Sequence, residues 1–244
     1  GYFKGTATFG NTNLTSSGSD DIFIAKLGSG GNWLWAKQAG GTSSDYGQSI
    51  ATDSEGNSYV TGYFKGTATF GGITLTSSGS ADIFVAKLDS GGNWLWVKRA
   101  GGTGNVYGRS IATDSEGNSY VTGYFSGTAT FGTTNLTSSG GNDIFVAKLD
   151  SAGNWLWVKR AGGTDSDYGQ SIATDSEGNS YVTGYFKGTA TFGNTNLTSS
   201  GSDDIFIAKL GSGGNWLWAK QAGGTSSDYG QSIATDSEGN SYVT

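Results

Sequence analysis

Apolar residues along the chain fall in short runs cut by glycine and small polar residues, the pattern of short strands joined by tight turns. Two hairpins of one design stand out. In the first, Gln48-Ser49-Ile50-Ala51-Thr52 meets Ser58-Tyr59-Val60-Thr61-Gly62-Tyr63-Phe64 through Asp53-Ser54-Glu55-Gly56-Asn57. In the second, Asp143-Ile144-Phe145-Val146-Ala147-Lys148-Leu149 meets Trp155-Leu156-Trp157-Val158-Lys159 through Asp150-Ser151-Ala152-Gly153-Asn154. Both turns read Asp-Ser-x-Gly-Asn. The carboxylate can accept the N–H groups of the turn, and the glycine supplies the positive φ that such a loop needs.

The strands are apolar on both faces. In Trp33-Leu34-Trp35-Ala36 alternate side chains point opposite ways, yet neither side is polar, and Ile22-Phe23-Ile24-Ala25 behaves alike. A sheet with one wet face would alternate apolar and polar residues; two dry faces imply a sheet sandwiched between neighbours, as in stacked blades. Residues 6–15, between the hairpins, read as a small extra hairpin or a decorated loop.

Gly-Tyr-Phe recurs at Gly1, Gly62, Gly123 and Gly184, a period of 61, so repeats at 1–61, 62–122, 123–183 and 184–244 fill the chain. The first and fourth are identical. Differences elsewhere keep strand shape (Ile24, Val85, Val146, Ile207) and let loops drift, as when Ser43-Ser44-Asp45 becomes Gly104-Asn105-Val106. The pattern predicts an all-β chain of tandem four-stranded antiparallel blades, a β-propeller-type array. The alternative is a β-solenoid, but hairpins make antiparallel neighbours and solenoid coils make parallel ones.

Composition narrows the chemistry. Gly supplies 44 of 244 residues and Pro none, without the period of collagen, while 13% aromatic residues argue against disorder. A net charge of −6 with no basic stripe disfavours nucleic acid as a partner. No run approaches a membrane span. His, Cys and Met are missing, which removes thiolate metal sites and the usual acid–base and nucleophilic groups. We therefore expect no catalytic residue, no cofactor and no enzyme activity. The four Glu residues (Glu55, Glu116, Glu177, Glu238) all occupy first-hairpin turns. Asp53, Glu55 and Asn57 alternate oxygen donors around a glycine and are weak calcium candidates, but the distal bidentate acid of such loops is not evident, and turn capping explains them better. The Trp pairs sit mid-strand and read as packing between blades rather than sugar platforms. Tyr46, Tyr107, Tyr168 and Tyr229, expected in Gly-rich loops, are the candidates for an exposed ligand contact. Lys26, Lys37 and their counterparts are expected at strand edges or paired with carboxylates of the Asp21 type.

The run Asp53-Ser54-Glu55-Gly56-Asn57-Ser58-Tyr59-Val60-Thr61-Gly62, followed by Asp82-Ile83-Phe84-Val85-Ala86-Lys87-Leu88 and Gly92-Asn93-Trp94-Leu95-Trp96, resembles the bacterial β-propeller repeat called SBBP. The resemblance covers all four repeats. It implies large secreted or surface-anchored proteins and carries over no catalytic residue. Both chain ends fall inside one expected strand, Ser241-Tyr242-Val243-Thr244 and Gly1-Tyr2-Phe3, which is continuous at Tyr120-Val121-Thr122-Gly123-Tyr124-Phe125. The expectation is a segment of a longer, nearly periodic extracellular or cell-surface polymer, a fibre, that associates with further copies or repeats. The alternative is a carbohydrate-binding adhesin that contacts glycans through loop aromatics.

Overall fold

The computed structural model describes residues 1–244, and every regular element in it is a strand. In chain order they begin with β1 (Tyr2–Phe9), β2 (Thr12–Leu27), β3 (Trp33–Gly41), β4 (Tyr46–Thr52), β5 (Ser58–Phe64), β6 (Thr67–Phe70) and β7 (Ile73–Thr76). Next come β8 (Asp82–Leu88), β9 (Trp94–Gly102), β10 (Val106–Thr113), β11 (Ser119–Phe125), β12 (Thr128–Phe131) and β13 (Thr134–Thr137). The last are β14 (Asp143–Leu149), β15 (Trp155–Gly163), β16 (Tyr168–Thr174), β17 (Ser180–Phe192), β18 (Thr195–Leu210), β19 (Trp216–Ala222), β20 (Ile233–Thr235) and β21 (Ser241–Val243).

Strand β4 pairs with β5, β5 with β8 and β8 with β9, all antiparallel, which makes one four-stranded blade. The sets β10, β11, β14, β15 and β16, β17, β18, β19 repeat it. Strands β1 to β3 form part of a preceding blade, and β20 with β21 part of a following one. The folded unit is thus offset from the sequence repeat: it runs over 46–102, not 62–122. The ladders are antiparallel throughout, and the one parallel contact is an isolated bridge from Ala81 to Asn105. These are tandem antiparallel blades, as the hairpin turns predict. The array is open, because β20 and β21 pair only with each other.

The expected extra hairpin over residues 6–15 exists, and its counterparts have an unforeseen partner. Strands β6 and β7 join the sheet of the preceding blade, with Ala39 opposite Phe70, Gly40 opposite Thr69 and Gly41 opposite Ala68. Likewise β12 pairs with β9, and the outer end of β17 pairs with β15. Each small hairpin therefore covers the outer edge of its predecessor, which shields a row of N–H and C=O groups. The approach is close enough that a Cβ at Gly41 or Gly102 would strike the Thr67 or Thr128 carbonyl oxygen.

Three apolar clusters hold the array together, and each lies in a seam between blades. One combines Tyr59, Ile83, Val85 and Ala100 with Val106, Ile111, Val121, Phe125 and Phe145 of the next blade. The other two seams repeat it. Strands β8 and β14 are buried at all seven positions, so both faces are dry as expected.

The outer strand departs from that expectation. Lys87 pairs with Trp96 and Leu88 with Trp94, so Leu95 is an extra, bulged residue. The bulge turns the two tryptophans to opposite faces and leaves the leucine between them about half exposed (Leu34 53%, Leu95 51%, Leu156 53%, Leu217 50%). Trp94 packs edge-on to Phe70, 5.5 Å between centroids, while the Trp96 indole N–H donates to the Ser151 carbonyl of the next blade at 3.1 Å. The tryptophans are packing residues. Most are half-buried, and Trp33 remains 41% exposed.

Candidate functional site: blade seams and a tyrosine ladder

The Asp-Ser-x-Gly-Asn turns fold as their composition demands. Asp53 Oδ1 accepts from the Glu55 and Asn57 backbone N–H groups at 3.1 and 2.9 Å, and Gly56 takes a φ of 77°. Asn57 donates its side-chain amide to Asp53 Oδ2 at 2.8 Å and to Glu55 at 3.2 Å. The calcium candidates Asp53, Glu55 and Asn57 thus lie together, with both Asp53 oxygens and one Glu55 oxygen accepting hydrogen bonds within the turn. The Lys87 ammonium sits 3.6 Å from Asp53.

The same turn belongs to the seam. The Tyr59 hydroxyl lies 2.9 Å from the Gly117 carbonyl oxygen of the next blade and 3.2 Å from Asp53 Oδ2, with Lys87 over its ring at 4.8 Å. Tyr120, Asp114, Lys148 and Gly178 repeat the arrangement, as do Tyr181, Asp175, Lys209 and Gly239. Burial alone would raise Asp114, but hydrogen bonds from Asn118 and Tyr120 and the Lys148 charge hold it below the ordinary carboxylate value. Beside each seam opens a polar cleft without a hydrophobic residue in its lining, of about 380 Å³ where Asp114, Glu116, Lys148 and Glu177 meet. These contacts correct the expected lysine pairing. Lys87, Lys148 and Lys209 serve the turn aspartates, and Lys26 donates to the Ser90 carbonyl. Two carboxylates of the Asp21 type pair with arginine instead, Asp82 with Arg99 at 2.8 Å and Asp143 with Arg160 at 2.5 Å, while Asp21 and Asp204 accept from the Ser17 and Ser200 backbone N–H groups.

The candidate contact residues occupy the other end of the inner strands. Tyr46, Tyr107 and Tyr168 lie in β4, β10 and β16 rather than in loops, and Tyr229 stands just before β20. Each half-buried ring touches a tyrosine that the sequence reading assigned only to a strand. The order Tyr2, Tyr46, Tyr63, Tyr107, Tyr124, Tyr168, Tyr185, Tyr229 forms a continuous ladder with neighbouring centroids 4.6 to 5.1 Å apart. Within a blade the pair is set by register, as for Tyr46 opposite Tyr63; between blades it is set by inner strands lying side by side. Those strands are tied by Ile111 N–H donating to Ser49 Oγ at 3.3 Å and Thr113 hydroxyl to the Thr52 carbonyl at 3.1 Å. Burial pushes the Tyr63 hydroxyl up to about 12, with Tyr46 and Tyr107 adding and Arg109 opposing. The ladder ends are open: Tyr2 is 54% exposed and Tyr229 46%.

A bulge accompanies every complete inner strand. Gly47 pairs with Gly62 and Ser49 with Thr61, which leaves Gln48 out of the ladder; Arg109 and Gln170 occupy the equivalent bulges. Arg109 extends over the Tyr124 ring, 5.4 Å from guanidinium carbon to centroid.

A second titratable group lies buried between β15 and the following inner strand. Asp167 accepts from the Gly163 and Lys187 backbone N–H groups at 2.7 and 3.2 Å, and a Cβ at Gly162 would meet both the Asp167 and Asp143 carboxyls at 2.8 Å. Burial, with Asp143 and Asp165 adding, lifts Asp167 to about 7; the matching Asp45 reaches about 6. No three His, Cys, Asp or Glu side chains converge as a metal cluster, and no helix is long and apolar enough to cross a membrane.

Blades of four antiparallel strands, stacked face to face through repeated seams, define a β-propeller-type repeat protein. Residues 34–63, 95–124, 156–185 and 217–244 each match the family described as Beta-propeller repeat, SBBP, so the chain belongs to that family as four tandem copies. It is 30% identical over 270 residues to an uncharacterised WD repeat-containing protein of Acanthamoeba polyphaga mimivirus, across 88% of this chain and 19% of that one. It is also 30% identical over 141 residues to the regulatory protein FlaEY of Caulobacter vibrioides, across 56% of this chain and 15% of that one. The chain thus spans less than a fifth of the length of these curated relatives. A protein of unknown function from Bacteroides caccae superposes with a TM-score of 0.49 at 11% identity, over 91% of this chain and 64% of that one.

Proposed function

We propose that the chain is a non-catalytic, cofactor-free structural repeat array of an extracellular or cell-surface protein, which associates with further copies or repeats. The observation that carries this reading is the use of its reactive side chains. Tyr59, Tyr120 and Tyr181 hydroxyls and Trp35, Trp96 and Trp157 indoles all bond backbone carbonyls one blade away, at the same sequence offsets each time. These hydroxyls and indoles are spent on holding one blade to the next. Sedimentation velocity and negative-stain imaging of the purified chain over a wide concentration range test the reading. Strings or rings that grow with concentration are expected; a monomer at every concentration refutes the self-associating scaffold.

A second reading, glycan binding, is favoured by the tyrosine ladder, which presents a row of half-buried aromatic rings and hydroxyls along the inner strands. Saturable binding of a neutral or acidic oligosaccharide, weakened by Tyr107→Ala, supports it; no binding across a glycan array overturns it.

A further inference from the structure

The repeats differ at the bulged residue of the inner strand, and one difference breaks the symmetry of the ladder. The position holds Gln48, Arg109, Gln170 and Gln231, so a single positive charge stands in a row of neutral amides. The chain has three arginines. Arg99 and Arg160 are ion-paired with Asp82 and Asp143, whereas no carboxylate lies within ion-pair distance of Arg109. Its Nε is buried without an acceptor; its Nη1 reaches Gln48 Oε1 at 3.4 Å, the outer limit of a hydrogen bond, and its other neighbour is the neutral Tyr124 side chain. The bulge between Gly108 and Ser110 takes this residue out of the sheet register, the usual means by which a strand re-aims one side chain.

The surroundings suit an anion. The guanidinium is held against the Tyr124 ring, and its charge is felt at the Tyr63, Tyr124 and Tyr185 hydroxyls. A guanidinium offers a planar fork that matches a carboxylate with two parallel hydrogen bonds. The net charge of −6 repels polyanions, which leaves a small ligand bearing isolated charges. Half-buried tyrosine rings and hydroxyls beside the fork suit a sugar ring.

We propose that Arg109, with Tyr63, Tyr107 and Tyr124 around it, is a binding site for the carboxylate of an acidic sugar, a hexuronate. The site deepens the glycan-binding reading and stands apart from the scaffold reading. The charge selects the uronate over its neutral counterpart, and the flanking tyrosines give it a platform. The other three positions, carrying glutamine, lack this selectivity.

Titration of the full chain with oligosaccharides that carry a single galacturonate or glucuronate, with the corresponding neutral hexose oligomers and with acetate, followed by NMR or calorimetry, tests the site. Wild type is expected to bind a uronate oligomer at one site, at least about tenfold tighter than the neutral oligomer or acetate, and less tightly as salt rises. R109Q places in this blade the residue its neighbours already carry, so the fold is kept, and it is expected to erase the preference. R109Q combined with Q170R moves the site one blade along and is expected to restore it. Equal binding of neutral and acidic oligomers overturns the Arg109 site but leaves the glycan reading standing; no binding of either overturns both. Retained uronate preference in R109Q, or its absence from the double variant, also overturns the site.

Discussion

Asp167 shows how far a single buried group can steer this array. Its ordinary value is 3.8, and in the fold it titrates near 7 because burial, with Asp143 and Asp165 adding, disfavours its charge. Between those values the folded chain holds a proton that the unfolded chain has lost. The stability associated with this group is therefore complete below about pH 4 and lost as the pH rises through about 7. Asp167→Asn removes that loss, at the cost of one of the two acceptor oxygens that the Gly163 and Lys187 N–H groups use. The stability difference between variant and wild type is expected to shift in the variant's favour from pH 4 to pH 8, by on the order of 2 kcal/mol. Paired melting curves across that range check it; a difference that does not change with pH contradicts it. The seam tyrosines act in the opposite sense. Tyr120→Phe forfeits the bond to Gly178 O and leaves a half-buried carbonyl without its donor, a cost of about 1 kcal/mol in urea unfolding.

At the scale of the element, the outer strand separates shape from exposure. Because Leu95 is the bulged residue, Leu95→Ser is expected to change stability by no more than about 0.5 kcal/mol. Trp96→Ala removes an inter-blade ring and its bond to Ser151, and is expected to cost about 3 kcal/mol; equal effects in denaturant titrations would deny the bulge its role. The identical first and fourth repeats offer an internal control on the small hairpin. Strand β3 runs to Gly41 where β6 covers it, while β19, with the same residues and no cover, stops at Ala222. Replacing residues 128–137 with a short linker should therefore free the Thr103 amide, which donates to the Thr128 carbonyl at 3.1 Å, and hydrogen exchange by NMR can read it.

Sequence reading reached what local chemistry decides. The Asp-Ser-x-Gly-Asn turns, the strands on either side and their antiparallel pairing all follow from residues within one hairpin. What depends on register did not show: the bulge at Leu95 exists only relative to Lys87 and Leu88, and the hairpin β6–β7 docks on a strand from the blade before. Tyr46, Tyr107, Tyr168 and Tyr229 were visible as candidates, but their partners Tyr63, Tyr124 and Tyr185 looked like ordinary strand residues. The available signal was a Tyr-Gly pair in each half of the hairpin, Tyr46-Gly47 and Gly62-Tyr63, which in antiparallel register sets ring beside ring. Arg109 in a glutamine position was visible too, without anything to show that it lacked a partner.

In the molecule as a whole, each blade meets only its neighbours, so stability is close to a sum of seam terms. Strands β8 and β14, buried on both faces, are expected to exchange amide hydrogens most slowly, and β20 and β21, with one neighbour, most quickly. Uniform exchange along the chain would mean one cooperative unit instead of linked ones. The lap of each small hairpin over the sheet before it makes the two directions unequal. Lifting off a later blade bares the margin of the one it overlapped, whereas removing an earlier blade leaves all four ladder strands of its successor intact. The modules are laid like slates, so a protease that follows the loss of a later blade meets a bared margin on the one before it.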